Sequence, residues 1–464
     1  MRVLLVVWPA VAHLFPVVPL AWALRGAGHE VVVVSQGGLA GAVGSVGLTS
    51  VVLGEGVMGQ ARGATRPVPV GVGEELDGLE GVLGLGAGVG AGPVRGAGVG
   101  AGAGVGVGVG EGELWGMFRT FVLPAVWDFH PPDGGVGGVP PGIDDLVSFA
   151  RYWGPDLVVW DPCFPSAAVA ARVVGAAHAR LLWGLDYWGW VTDRVNAAGG
   201  GVVNPLARVV GPLADRYGVG LDDELLLGQW TIDPVPAAMR LRTSVTGVPV
   251  RWTPFTGAGV LPSWLRRPGD RPRVALSLGT SVREFFRDGE KFIAAVLAGV
   301  ADLDVEVVAT LDRSQTEGIT VPDNVRTVDY IPLTQLLPTC SAVIHHGGMG
   351  TFGAAAALRV PQLITDADLR IGVRHDDGTE AFFHAKHMDA GPTSGYVLSR
   401  GAGLVLDPVG DLPGELGRRV GRVLEEPAFR EGAGRIHDEL LATPSPADIV
   451  PLLERLSARH RSRG

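Results

Sequence analysis

The sequence predicts an α/β protein built from two separate parallel-sheet blocks, on three observations. A strand, a helix and a second strand fit within the first 35 residues. The same unit recurs near residue 160, and a longer alternating series begins at Arg273. Parallel strands that close in sequence need a crossover, and a helix is what the intervening residues supply. A chain of 464 residues, at roughly 100–200 residues per domain, holds two or three such units.

The elements follow in order. Arg2–Trp8 (RVLLVVW) is a short apolar run of the fully buried strand type. The loop PAVAHLF leads to a helix expected over Val17–Gly26 and stopped at Gly28, then to the strand Glu30–Ser35. Pro155–Asp161 (PDLVVWD), an Ala-rich helix and the strand His178–Trp183 repeat the unit. In the second block the strands read VALSLG, VEVVATL, NVRTVDY, SAVIHH and PQLIT, with a helix around Gly289–Leu303 and another from Gly350. Pro234–Asp270 carries Pro and Trp without periodicity and suits a linker. The tail reads as two helices, Pro427–Leu441 and Ala447–His460, the second started by Ser445-Pro446. This division gives a first domain over 1–233, a linker over 234–270, a second domain over 271–442 and a final helix within 443–464.

Glycine is the compositional outlier, with 71 residues, about twice the ordinary share of ~7%. Almost every second residue from Gly81 to Gly110 is Gly. Such alternation offers little to pack at a large entropic cost, so 75–113 reads as a low-complexity excursion.

Charge and cysteine content exclude several classes. A net charge of −10, without a long Lys/Arg run, gives no phosphate-neutralising face, so no nucleic-acid partner is expected. Cys163 and Cys340 form no CxxC pattern, which excludes a disulfide framework or a Cys-zinc site and suits a reducing cytoplasm. The start MRVLLVVWPAVA resembles a minimal signal peptide, yet one Arg and about six apolar residues fall short of one. No run of ~18–20 apolar residues free of Pro and charge occurs, so no membrane span is expected. A cytoplasmic protein follows.

The motif with most chemistry is HHGGMGT, His345–Thr351, between a strand and a helix. Glycines there free backbone N–H groups at a helix N-terminus, where unpaired donors and the dipole favour phosphate. A Gly-rich turn with two buried histidines is the plainer reading. LSLGTS, with Gly279 and Thr280, ends the first strand of the same block. Two strand-end loops facing one crevice describe a nucleotide-diphosphate site. The loop after the first strand holds His13 and no Gly, which disfavours a dinucleotide fold. Asp161 ends a neighbouring strand. A carboxylate on a His ring fixes its tautomer and stabilises the imidazolium; a loop-packing His is the alternative. Trp183, Tyr187 and Trp188 stand among a crowd of aromatics that suits an apolar acceptor or a sugar ring, or core packing. Glu380, His384 and His387 at i, i+4 and i+7 would share a helix face, but without a fourth ligand a metal site is not expected.

Taken together, MRVLLVVWPAVAHLFPVVPLAWALRGAGHEV, PDLVVWDP, GAAHARLLWG, RPRVALSLGTS, VPDNVRTVDYIPLTQLLPTCSAVIHHGGMGT, VPQL and the PAFREGAGRI…PSPADIV tail resemble the GT-B glycosyltransferases of family 1. They are most similar to the activator-dependent enzymes that glycosylate macrolide and aromatic polyketide aglycones. The resemblance implies two Rossmann-like domains facing a cleft, acceptor on the N-terminal side and nucleotide-sugar on the C-terminal side, with the final helix crossing back. It places His13 as general base and Asp161 as its partner. His345, Gly348, Gly350 and Thr351 match the diphosphate contacts, with Gly279 and Thr280 below them, and Tyr330 and Ile331 fall where the pyrimidine base is held.

It further implies a TDP-sugar donor, a hydrophobic polyketide-like acceptor, inversion at the anomeric carbon, no cofactor or metal, and an auxiliary activator protein related to cytochrome monooxygenases. Two departures stand out. The family carries a Trp-Asp or Asp-Gln pair after PQL that holds sugar hydroxyls; here direct register puts Arg370 at the Asp position, with Asp366 and Asp368 just before. Asp376–Ser399 also looks inserted. These departures motivate a second reading, a GT-B homologue that binds nucleotide or aglycone without transfer. A nucleotide-sugar epimerase is a third, against which the aromatics at Tyr187–Trp190 speak.

Overall fold

Two all-parallel sheets organise the chain, a computed structural model that describes residues 1–54, 76, 79–80, 82–83, 110–129, 142–199, 201–267, 269–279, 286–287, 289–365, 369–374, 380–385, 388–406 and 412–461. The first sheet has seven strands: β1 (Arg2–Val6), β2 (Glu30–Gln36), β3 (Thr49–Leu53), β4 (Leu157–Trp160), β5 (Ala177–Leu181), β6 (Trp230–Asp233) and β7 (Gly247–Pro249). Their order is β3-β2-β1-β4-β5-β6-β7. The winding direction reverses between β1 and β4, so the loops after those two strands open a crevice at their carboxyl ends, where such sheets bind ligands.

The second sheet repeats the plan. Its strands are β8 (Arg273–Ser277), β10 (Glu306–Ala309), β11 (Val325–Thr327), β12 (Ala342–His345), β13 (Gln362–Thr365) and β16 (Gly403–Leu406), in the order β11-β10-β8-β12-β13-β16. Its reversal lies between β8 and β12, so the LSLG and HHGGMGT loops flank the second crevice. A third, antiparallel sheet joins β9 (Phe286–Arg287), β14 (Leu369–Arg374) and β15 (Glu380–Ala385).

Several sequence expectations shift. The first helix spans Val11–Gly26 and starts six residues early, across Pro16 and Pro19. Its buried Leu14, Val17, Val18 and Leu20 pack on the sheet, and that burial outweighs the backbone hydrogen bonds the prolines remove. His13 therefore sits in a first helical turn, its N–H on the Ala10 carbonyl at 3.0 Å. The expected linker also begins inside the first sheet, because β7 pairs in parallel with β6. Of the segment expected to be inserted, only the strand part leaves the main fold. Ala390–Ser399 is the helix that packs against β13 and β16, the crossover that two parallel neighbours require. Glu380 and His384 lie on strand β15, not on a helix, and His387 is outside the described residues. So is most of the Gly-rich excursion.

The helix Pro446–His460 packs on the helix Val11–Gly26 and on β5. Ile449, Val450 and Leu453 enter the cluster that holds Val3, Leu5 and Val33, so the chain's last helix completes the core of its first domain. Among the described residues no helix is long and apolar enough to cross a membrane.

Candidate active site

His13 and Asp161 reach each other because β1 and β4 are neighbours. The Asp161 N–H continues the pairing onto the Val6 carbonyl at 2.9 Å, which sets its side chain beside the helix that follows β1. His13 Nδ1 lies 2.7 Å from Asp161 Oδ2. Asp161, almost fully buried, accepts at Oδ1 from the Cys163 N–H at 2.8 Å and the Trp183 indole N–H at 3.3 Å. An acceptor-only carboxylate with those donors fixes the proton on His13 Nδ1 and leaves Nε2 its lone pair. The ring is wedged between Trp8 and Trp183, with centroids 4.7 and 4.4 Å away. Burial and the Asp161 charge hold the Cys163 thiol well above its usual range, so it stays neutral.

The second crevice is built from glycine and a helix end. Gly279 has φ +75°, and a Cβ there would lie 2.5 Å from His346 Cε1. Only Gly lets the β8 loop and the β12 loop interlock this closely. Gly347, at φ +88°, would meet the Ala390 backbone at 2.7 Å. By contrast, a Cβ at Gly350 would meet nothing within 4 Å. That open side lies at the start of the helix Met349–Ala357, whose unpaired N–H groups and dipole favour an anion.

One cleft of about 300 Å³ joins the two crevices. His13, Trp183 and Trp188 line it from the first domain; Gly279, Tyr330, Ile331, Gly348, Gly350 and Thr351 line it from the second. The predicted base, diphosphate loops and base-holding residues are therefore in one place. Tyr330 is half exposed, and its hydroxyl donates to the Thr256 carbonyl of the linker.

Two sequence expectations, His345 and Tyr187, stand outside that lining; a third, Arg370, lies on a strand, and three more fall outside the described residues. His345 is fully buried: its Nδ1 accepts the Gly347 N–H at 3.2 Å, and its Nε2 faces Gln362 Oε1 at 2.9 Å. It shapes the loop from beneath while its neighbour His346 lines the cleft. Burial pushes His345 down to about 3 and His346 to about 4, so both rings are neutral at pH 7. Tyr187 is buried, and its hydroxyl donates to the Met388 carbonyl of the other domain at 2.7 Å; it forms no part of the lining. Arg370 lies in mid-strand on β14, paired with His384 and Arg287, because the antiparallel sheet interrupts the register that led to it. Thr280, Asp366 and Asp368 fall outside the described residues.

Sequence reasoning missed Asp389. It lines the cleft beside Met349 and Gly350, buried, where the nearby backbone N–H groups of Met349 and Leu185 favour its charged form. Burial raises it to about 7 against those two donors. Met388-Asp389 stands directly before the crossover helix Ala390–Ser399, beyond the β14–β15 detour. Among the described residues no group of three or more His, Cys, Asp or Glu is placed to hold a metal ion.

Comparison with known proteins bears directly on this geometry. Residues 141–279 match the N-terminal domain, and 294–456 the C-terminal domain, of the erythromycin biosynthesis protein CIII-like family. The chain is 39% identical to aclacinomycin-T 2-deoxy-L-fucose transferase of Streptomyces galilaeus, over 99% of this chain and 97% of that one. It is 37% identical to 3-alpha-mycarosylerythronolide B desosaminyl transferase of Saccharopolyspora erythraea, over 99% of each. Among solved structures it is similar to the glycosyltransferase VinC in complex with dTDP, with a TM-score of 0.73, 32% identity, and coverage of 99% and 100%. The chain belongs to the erythromycin biosynthesis protein CIII-like family and is a glycosyltransferase of GT-B fold.

Proposed function

We propose that this glycosyltransferase moves a deoxysugar from a TDP donor to a hydroxyl of a polyketide aglycone, with inversion. The observation that carries the reading is a single cleft holding a His13–Asp161 pair 2.7 Å apart and, opposite, an open helix N-terminus at Gly350 and Thr351. His13 Nε2 takes the acceptor proton while Asp161 steadies the imidazolium. The freed oxygen attacks the anomeric carbon from the face opposite the nucleotide, and the bond from that carbon to the diphosphate breaks. The departing charge gathers at the helix N-terminus. Trp8, Trp183 and Trp188 give the acceptor an apolar wall, and Tyr330 with Ile331 holds the base.

TDP as donor is supported by the dTDP complex of VinC and by a relative named TDP-daunosamine transferase. The acceptor class is supported by relatives named for aclacinomycin and erythronolide. Asp389 is the residue assigned to the sugar hydroxyls, in place of Arg370. The reading of a homologue that binds without transfer rested on Arg370 and on the inserted segments; Asp389 beside Gly350 answers the first of these grounds. The proposal retains an auxiliary activator protein as a partner, so turnover is to be measured with and without it.

His13→Ala tests the assignment. Turnover across a panel of TDP- and UDP-sugars should fall at least ~100-fold, while TDP still binds in a calorimetric titration. Unchanged turnover would remove His13 from the role of base.

A further inference from the structure

One six-residue stretch touches both halves of the chemistry. Trp183 lies tilted against His13, ring centroids 4.4 Å apart, and donates its indole N–H to Asp161 at 3.3 Å. Two residues on, the Leu185 backbone N–H favours the charged form of Asp389 across the domain boundary. Tyr187 then donates its hydroxyl to the Met388 carbonyl at 2.7 Å, also across that boundary. Gly184 lies so close that a Cβ there would stand 3.1 Å from Asp389 Oδ1.

The stretch is also held rigidly from behind. Asp186 takes a two-pronged contact from Arg180 at 2.9 and 2.8 Å, and its Oδ1 caps the helix Tyr187–Ala198 through the Gly189 N–H at 2.9 Å. Arg180 is fully buried and reaches Thr231 as well, at 2.9 Å. A paired, bidentate buried arginine tolerates little displacement.

We propose that Trp183–Trp188 of the acceptor-side domain positions the donor-side carboxylate Asp389, making Tyr187 a specificity-determining positioning residue for the sugar. The inference rests on the reading of Asp389 as the sugar contact. A buried phenol hydroxyl is costly without a partner, and here its partner is the carbonyl one residue before the carboxylate. Asp389 lies beside Met349 of its own domain and is closely approached by Gly184 of the other, while Tyr187 of that other domain holds the Met388 carbonyl before it. Its place is thus set jointly by both domains. The diphosphate and base subsites, in contrast, are built from the second domain and the linker. Bare TDP should therefore be blind to Tyr187, and a TDP-sugar should not.

The test uses the full chain and its Tyr187→Phe and Gly184→Ala variants, titrated with TDP and with a panel of TDP-sugars. Trp8, Trp183, Trp188 and Trp252 line the cleft, so intrinsic fluorescence reads binding. In each variant the TDP-sugar that the wild type binds most tightly should weaken roughly 3- to 10-fold, with TDP changed less than twofold. Melting temperatures check that each variant is folded. Should the phenol prove necessary for folding, Gly184→Ala carries the test alone, since it crowds the carboxylate without removing a hydrogen bond. Equal losses for TDP and TDP-sugar, or no loss for either, overturn the inference. Failure of the unmodified chain to bind TDP is a separate result: it removes the site reading, and this inference with it.

Discussion

At the scale of single residues, the nucleotide end of the cleft is decided by a glycine and a histidine sharing one volume. Gly279 turns at φ +75°, and the His346 ring fills the space where its side chain would be. Gly279→Ala imposes left-handed strain of ~1–2 kcal/mol and drives His346 out of the cleft wall. We expect at least ~10-fold weaker TDP binding with the fold retained, read by titration alongside a melting curve; unaltered affinity would show that the β8 loop does not shape the nucleotide site. The same residues show how legible a site is from sequence. HHGGMGT declared a helix N-terminus through its glycines, and glycine pattern survives translation into geometry because it reports backbone freedom. Which of two adjacent histidines faces the ligand is another matter. His345 ends a buried strand and His346 begins the loop, and a strand's alternation cannot be carried past its last paired residue.

At the scale of elements, apolar runs marked β1, β2, β4, β5, β8, β10, β12 and β13, since burial on both faces leaves a sequence signature. β3, β6 and β16 stayed hidden, and so did β7, three residues long and ended by Pro249, whose place comes from its neighbour β6. The helix start before Pro16 was hidden for a related reason: tertiary burial overruled local propensity. Asp389 was lost to arithmetic, because counting from PQL assumes that no detour intervenes, and β14–β15 is one. The linker also carries an unadvertised contact. Trp252 lies against the helix Met349–Ala357, where a Cβ on Gly353 would stand 2.3 Å from its Nε1, and Trp252 lines the cleft. Gly353→Ala should lift the linker from that helix, costing ~1–3 kcal/mol of stability by overpacking. Urea unfolding would read that cost, and TDP binding should weaken with it. A variant as stable as the wild type would mean the indole has room to slide.

At the scale of the whole molecule, the last helix closes the first domain, and the core it covers contains a titratable group. His178 on β5 is fully buried, and neither ring nitrogen has a hydrogen-bond partner among the described residues. Burial, then Arg172, lowers it to about 3, so the folded chain holds it neutral. In the unfolded chain it charges near its ordinary value of 6.5. The unfolded state therefore binds the extra proton between those values, and stability present above pH 6.5 is lost as pH falls toward 3. At pH 5 that loss is about 2 kcal/mol from this one ring. His345 and His346 act with the same sign. Asp233 and Asp389, raised by burial to about 6 and about 7, act with the opposite sign, since the folded state binds their protons first. The net curve for the whole chain is thus a poor test, and a difference isolates the ring. His178→Leu, similar in bulk, should lose about 2 kcal/mol less than the wild type between pH 7 and pH 5 in paired urea titrations. It should also gain a little at pH 7, where an unpaired polar ring is exchanged for an apolar side chain. Parallel losses in the two proteins would mean that His178 finds a proton acceptor when the final helix loosens, and that the core beneath it is wetter than its burial implies.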